Sequence, residues 1–362
     1  MEKSTLIEIL RTFSAAELAA FGDFTASPYF NKKSNVARLY EVIKKSAPAF
    51  HPEKTAKEEV WKKIFPGKKY NYGIMKNLIF DLNKLAVKFL ELESYSQKEF
   101  EPDLNQLDSF RHKNLKQQFI KKRADMRKNL RDRPLDNQLY LYKYMLHSSE
   151  MSYLDYDLLF KNSDTDYHSG VNDSLLLYYC TNQLYHSINN LQYAHNRNAA
   201  VNENIHQKAL ELYNGSGKQD PYTEILKYLY IAMSGGGSPE DYENLKRTFF
   251  ANYKRCSLAV QFDLATGMIN FCRNNAQKGS SDFIKDEFLY IRILIDDGLY
   301  RNTRVSWIDQ YLFMQVVMAA CRAGEFEWAQ RFINEHSGEL LDSVREQYTN
   351  MANITLNLRR RK

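Results

Sequence analysis

Helix-breaking residues are scarce in this chain: 8 prolines and 14 glycines are spread over 362 residues. So few breakers exclude collagen-like and low-complexity architectures and favour long helices joined by short turns. Runs of β-branched residues in strict alternation, bounded by turns, are also missing, which removes the signature of strands and hairpins. No window approaches the roughly 18 apolar residues that a membrane-spanning helix needs. Near the start, Glu2, Glu8, Arg11 and Glu17 interrupt the apolar core that a secretory signal requires. The four cysteines, Cys180, Cys256, Cys272 and Cys321, lie far apart and form no Cys-x-x-Cys pair. That spacing predicts reduced core thiols in a cytoplasmic protein, with neither a disulfide framework nor a zinc site.

Aromatic residues are what the chain has in plenty, with 25 Tyr and 21 Phe. Its 44% hydrophobic and 26% charged residues are those of an ordinary globular protein, so disorder is excluded. The net charge of +6 conceals an asymmetry. Residues 1–133 carry 27 Lys and Arg against 17 Asp and Glu, whereas 134–362 carry 23 against 27. A basic front suggests an anionic partner there, or charge complementarity within an assembly.

The sharpest local signals lie near the front. Ser14 and Glu17 have capping-box spacing, and Phe13 and Leu18 sit where a hydrophobic staple would cross it, predicting a helix over Ala15–Ala26. Ser27-Pro28-Tyr29-Phe30-Asn31 ends that helix, and its two aromatics are expected to fill the core. Exposure of both would make the turn a contact surface instead. Asn31 or Ser34 is expected to cap a helix through Lys45, and Thr55 with Glu58 forms a second capping-box pattern. A broad apolar stripe then predicts a helix from Tyr72 to Leu92. Asp103–Asp132 reads as one long basic helix with ten Lys and Arg between Arg111 and Arg133, and Pro134 breaks it. Asp136–Phe160 reads as a second long helix and Asn162–Gly170 as a polar loop. Beyond it, helices are expected at about 171–195, 202–213, 221–233, 239–252, 257–276, 281–297, 304–323, 326–336 and 340–360. The start at 239 is strongly written: Ser238 caps, Pro239 opens the first turn, and Glu240 and Asp241 face the positive end of the dipole.

Phe313, Val316, Val317, Ala320, Gly324, Phe326, Ala329 and Ile333 resemble one tetratricopeptide unit, with a tight turn at glycine and small residues where paired helices approach. The blocks Ser27–Asn31 and Ile64-Phe65-Pro66-Gly67 together resemble the N-terminus of an uncharacterised bacterial all-helical family, which places this SPYFN/IFPG-type block ahead of tetratricopeptide-like helices. The resemblance covers most of the chain and implies no activity, cofactor or catalytic residue. Members of that family are longer, so an end at Lys362 leaves open a short member or a truncated one.

Patterns that would carry chemistry are weak. His147 and Glu150 share a helix face, but two ligands do not make a zinc site. Asp164-x-Asp166-x-His168-x-Gly170 has its glycine one place late for a calcium loop, and Leu175 stands where the bidentate glutamate belongs. Gly215-Ser216-Gly217-Lys218 lacks the earlier glycine and the following Ser or Thr of a phosphate loop. Two surfaces remain. Tyr140, Tyr144, Tyr178 and Tyr185 lie on consecutive helices and could line a peptide-binding groove, although tyrosines at helical spacing more often pack helices together. Lys121, Lys122, Arg123, Arg127 and Lys128 could bind phosphates, although such a run more often coats a solvated helix.

These readings predict an all-α chain: an N-terminal helical bundle (1–98), a long basic helical pair (99–165), and an α-solenoid, tetratricopeptide-like array of antiparallel helix pairs (166–362). The function expected is a non-catalytic scaffold or adaptor that binds a protein or peptide on the array, with no cofactor, metal or membrane. The alternative is a nucleic-acid-associated regulator using 111–133. A helical enzyme comes third, to be recognised by a pocket with convergent His, Cys or carboxylates.

Overall fold

The computed structural model describes residues 1, 4–153, 166–197, 203–235, 237–277, 282–302 and 307–360. Among them are seventeen α-helices and no strand. The chain divides into two compact units, Met1–Gln106 and Leu107–Lys362.

The first unit holds α1 (Thr5–Arg11), α2 (Ala15–Ala26), α3 (Ser34–Lys44), α4 (Lys57–Ile64), α5 (Tyr72–Ser96) and the start of α6 (Glu101–His112). Here α1, α2 and α3 pack on α5, and α4 packs on α3. The Ser14 hydroxyl accepts from the Glu17 amide, and the Glu17 carboxylate accepts from the Ser14 amide, so both halves of the capping box form. The same contacts hold the Glu17 carboxyl below its usual pKa. Phe13 and Leu18 are both buried. Phe13, Phe21 and Phe89 form a ring cluster with centroids 5.4–5.7 Å apart, the spacing of tilted and edge-on aromatic pairs.

Four local expectations fail here or just beyond. Tyr29 is 86% exposed and Phe30 39%, so the proline turn does not fill the core. Phe30 instead stacks on Phe24 from outside, 4.1 Å between centroids. Asn31 spends its side chain within the turn, donating to the Thr25 and Lys33 carbonyls, and α3 begins at Ser34 behind Lys33 with no side-chain cap. Thr55 is buried and donates to the His51 carbonyl, so α4 starts at Lys57 without the second capping box. The long basic helix is broken in two. α6 ends at His112, Asn114 takes φ +54°, and the Leu115 amide donates to the Phe110 carbonyl. That is a left-handed cap formed by asparagine, the residue that most often replaces glycine there.

The second unit continues with α7 (Lys116–Asp132), α8 (Asn137–Tyr153), α9 (Asp166–Arg197), α10 (Glu203–Gly215), α11 (Pro221–Met233) and α12 (Pro239–Asn252). It ends with α13 (Leu258–Gln277), α14 (Asp282–Asp296), α15 (Gln310–Arg322), α16 (Phe326–His336) and α17 (Asp342–Arg360). Asp166–Gly170 is helical, where a polar loop is expected; residues 154–165, including Asp164, lie outside the described residues. Neighbours in sequence are mostly neighbours in space. α8 packs along α9, α9 also receives α10 and α11, α11 meets α12, α13 pairs with α14, and α15 contacts α14, α16 and α17. Ser238 and Asp241 form their capping box. Gly324, at φ +80°, turns α15 into α16, with the Glu325 amide donating to the Ala320 carbonyl, and Phe313, Val316, Val317, Ala320, Ala329 and Ile333 are all buried. An isolated parallel bridge pins the segment after Pro134 to the loop before α13: the Leu135 amide donates to Arg255, and the Ser257 amide to Leu135.

Replacing Ser14 with Ala is expected to destabilise the chain by about 1 kcal/mol, the usual worth of such a cap. A urea titration followed through the first unit's signal checks this; an unmoved midpoint contradicts it.

Candidate functional site

An apolar concavity lies in the second unit, where α13, α14 and α15 meet. It holds about 330 Å³ and is lined by Phe262, Ile269, Ile291, Leu294, Ile308, Leu312 and Val316. Asn270, Arg273, Asp309 and Gln315 supply its polar groups. This is the lower end of the roughly 300–1,000 Å³ of ligand pockets. It suits one or two side chains better than a large cofactor.

A buried carboxylate fixes the three walls. Glu287 on α14 is 1% exposed, too buried to remain charged without close partners. Arg322 on α15 reaches both of its oxygens from Nη2 at 2.8 Å, and Nε of Arg273 on α13 donates to it at 2.9 Å. Three helices are thereby joined at one point. Arg273 also reaches Gln315 Oε1 at 3.4 Å, which sets the polar edge of the pocket. Asp309 is the N-cap of α15, accepting from the Tyr311 and Leu312 amides at 2.9 and 3.1 Å. On the remaining side, Tyr300 donates to Glu339, which also pairs with Arg301. Burial pushes the Glu339 carboxyl up, but Arg301, Tyr300 and His336 together hold it below its usual value. The carboxylate and the guanidinium in the lining are thus committed to structure. What the pocket offers a ligand is apolar contact, oriented by the Asn270 and Gln315 amides.

The four tyrosines expected to form a groove are placed differently from one another. Tyr140 is buried and donates to Asp220 at 2.6 Å. Tyr185 is half-buried and donates to Asp263 at 2.9 Å. Tyr144 and Tyr178 are half-buried, and Tyr178 packs against the core. Of the basic residues, Lys121 and Lys128 are exposed and Lys122 is half-buried. Arg127, itself exposed, binds Glu150 through two hydrogen bonds, 2.6 and 2.8 Å, with Arg123 at 3.9 Å from the same carboxylate. Glu150 is 1% exposed, a second buried carboxylate served by two arginines.

The other patterns resolve into structural contacts. His147 meets Ser174 and not Glu150. Lys218 pairs with Asp173, and Gly217, at φ +66°, forms a turn. All four thiols are buried and free of disulfides; burial pushes Cys180 up to about 11 and Cys256 and Cys272 up to about 12. No group of three or more His, Cys, Asp or Glu side chains suited to a metal occurs among the described residues.

Sequence reasoning missed Glu287, Arg273, Arg322 and Asp309. The signal for Glu287 was present: it lies at helical spacing before Tyr290, Ile291 and Leu294, a charge in an apolar stripe. Asp309, just ahead of a helical stripe, had the form of an N-cap. No family model, curated protein or solved structure matches the chain.

Two outcomes follow from this geometry. Glu287→Gln leaves two guanidinium groups without their counter-charge and should cost about 3 kcal/mol, the low end for a broken buried pair because both arginines keep some solvent contact. Chemical denaturation followed through the second unit reads this, and a loss below 1 kcal/mol would place the pair with ordinary surface bridges. The thiols should react with a disulfide reagent at pH 8 only as the chain unfolds, since burial and raised pKa values both suppress the thiolate. A fast-reacting native thiol contradicts the buried placement.

Proposed function

We propose that the chain is a non-catalytic interaction protein that holds a peptide segment of a partner by inserting apolar side chains into the α13–α15 pocket. The observation that carries this reading is the pocket itself: a walled apolar cavity of about 330 Å³ whose charged groups are already paired. An apolar side chain entering it removes surface from water on both partners, worth roughly 25 cal/mol per Å² before the costs of association. The Asn270 and Gln315 amides at the edge can bond the peptide backbone and set its direction.

The reading includes a tetratricopeptide-like solenoid for the second unit. It is supported by the packing of successive helices on their neighbours and by the α15–Gly324–α16 hairpin with its small buried Ala320 and Ala329. In such an array an inter-helix pocket lies on a surface shared by several helices, where an extended peptide gains further contacts. Tyr144 and Tyr178, both half-buried, have surface left to contribute.

The test begins with peptides selected from a random library against the intact protein, with affinity measured by fluorescence polarisation. Leu312→Asp puts a charge at the apolar wall and should weaken binding at least about tenfold, the cost of burying an unpaired charge beside a ligand. Tyr144→Ala and Tyr178→Ala should cost less. Full affinity in Leu312→Asp, with loss on the tyrosine variants, would move the interface to α8 and α9 and overturn the pocket reading.

A further inference from the structure

A second concavity, of about 400 Å³, lies between α7, α8 and α9, and its chemistry is opposite to that of the first. Its floor is apolar, from Leu130, Leu146 and Leu177, while Arg131, Lys143 and His147 face the same space. Arg127 also lines it, but its guanidinium is occupied by Glu150. The acids nearby are likewise committed. Asp173 at the rim pairs with Lys218. Asp220, the acid felt by Lys143, accepts from Tyr140 and Thr223 while capping α11.

Lys143 is the unusual member. It is half-buried, and no described residue accepts a hydrogen bond from it or pairs with it by contact. Desolvation by burial pushes its pKa down, with Asp220 opposing, so the charged ammonium is held at a cost. A lysine kept in a cleft without an acceptor is more readily explained by a ligand than by folding.

The histidine beside it is oriented. The Ser174 hydroxyl donates to the Gly170 carbonyl at 2.6 Å, so its proton is spent. His147 Nδ1, 3.1 Å from that hydroxyl, must therefore be the donor, which leaves Nε2 to accept a hydrogen bond from a ligand. Gly170 makes this placement possible: a Cβ there would stand 3.0 Å from Nδ1.

We propose that the α7–α9 cleft binds a phosphate monoester, with the phosphate held by Arg131, Lys143 and His147 and an apolar or aromatic body resting on Leu130, Leu146 and Leu177. A fork of guanidinium donors and a point-charge ammonium suit the several oxygens of a phosphate, and His147 Nε2 can accept from the hydroxyl of a phosphate monoanion. The apolar floor and the volume beyond what a bare ion needs call for a body attached to it. The site is separate from the peptide pocket and stands or falls independently of it.

Isothermal titration of the intact protein with phenyl phosphate, inorganic phosphate and phenol tests this. Phenyl phosphate should bind at least about tenfold more tightly than either part alone, since it satisfies both the charged groups and the floor. Arg131→Met and Lys143→Met should each weaken it at least about tenfold, whereas Lys128→Met, an exposed change on the same helix as Arg131, should leave it unaltered. Lys143→Met should unfold at the same temperature as the parent protein or higher, because a desolvated charge is removed. The proposal is overturned if phenyl phosphate does not bind, or if phosphate or phenol alone binds as well. It is equally overturned if Lys128→Met costs as much as Lys143→Met, which would mark diffuse electrostatic attraction.

Discussion

The second unit depends on carboxylates buried between helices and on the partners that allow them to stay there. A carboxylate removed from water is tolerated only when it is paired and hydrogen-bonded. Glu150 is held by Arg127 and Arg123, and Glu287 by Arg322 and Arg273. Less buried carboxylates, half-buried or, at Asp297, exposed, take a tyrosine from another helix or turn: Tyr140 on Asp220, Tyr185 on Asp263, Tyr242 on Asp286, Tyr253 on Asp297, Tyr300 on Glu339. Each joins segments tens of residues apart in sequence. The rings fill the helix interfaces and the hydroxyls meet the carboxylates at their margins, which gives the tyrosine-rich composition a structural purpose.

Such a framework frees other surfaces for binding. Because Arg273 is committed to Glu287 and Asp309 to the start of α15, the α13–α15 pocket is apolar without being a collapsed core. Its walls are set by polar contacts behind them. In the α7–α9 cleft the same logic leaves a different remainder. Arg127 is used up by Glu150, whereas no described residue accepts from Lys143, so positive charge persists inside the cleft.

Helices written by apolar spacing and explicit caps were legible from sequence: those opened by Ser14, Ser238 and Pro221 begin where the residues say they should. The break at Asn114 was not, because asparagine signals a left-handed cap far less plainly than glycine and the apolar stripe continues past it. Thr55 has the residue type of a cap, but its hydroxyl is drawn to the His51 carbonyl in the preceding turn. Tyr29 and Phe30 follow a proline turn that carries the chain outward, and aromatic character alone does not fix which side of a turn faces the core. The functional candidates were least legible, since both concavities draw residues from three helices distant in sequence. Arg127 and Tyr140 were marked as binding residues, and both reach the α7–α9 cleft, but each is held by a carboxylate partner.

The α13–α15 pocket is the surface proposed to receive a partner. Methyl NMR of the intact protein, with a library-selected peptide titrated in, addresses it most directly. Shifts centred on the methyls of Ile269, Ile308, Leu312 and Val316, with those of Leu130, Leu146 and Leu177 unmoved, are the predicted result. Shifts confined to other methyls, with the four pocket residues silent under saturating peptide, would contradict it.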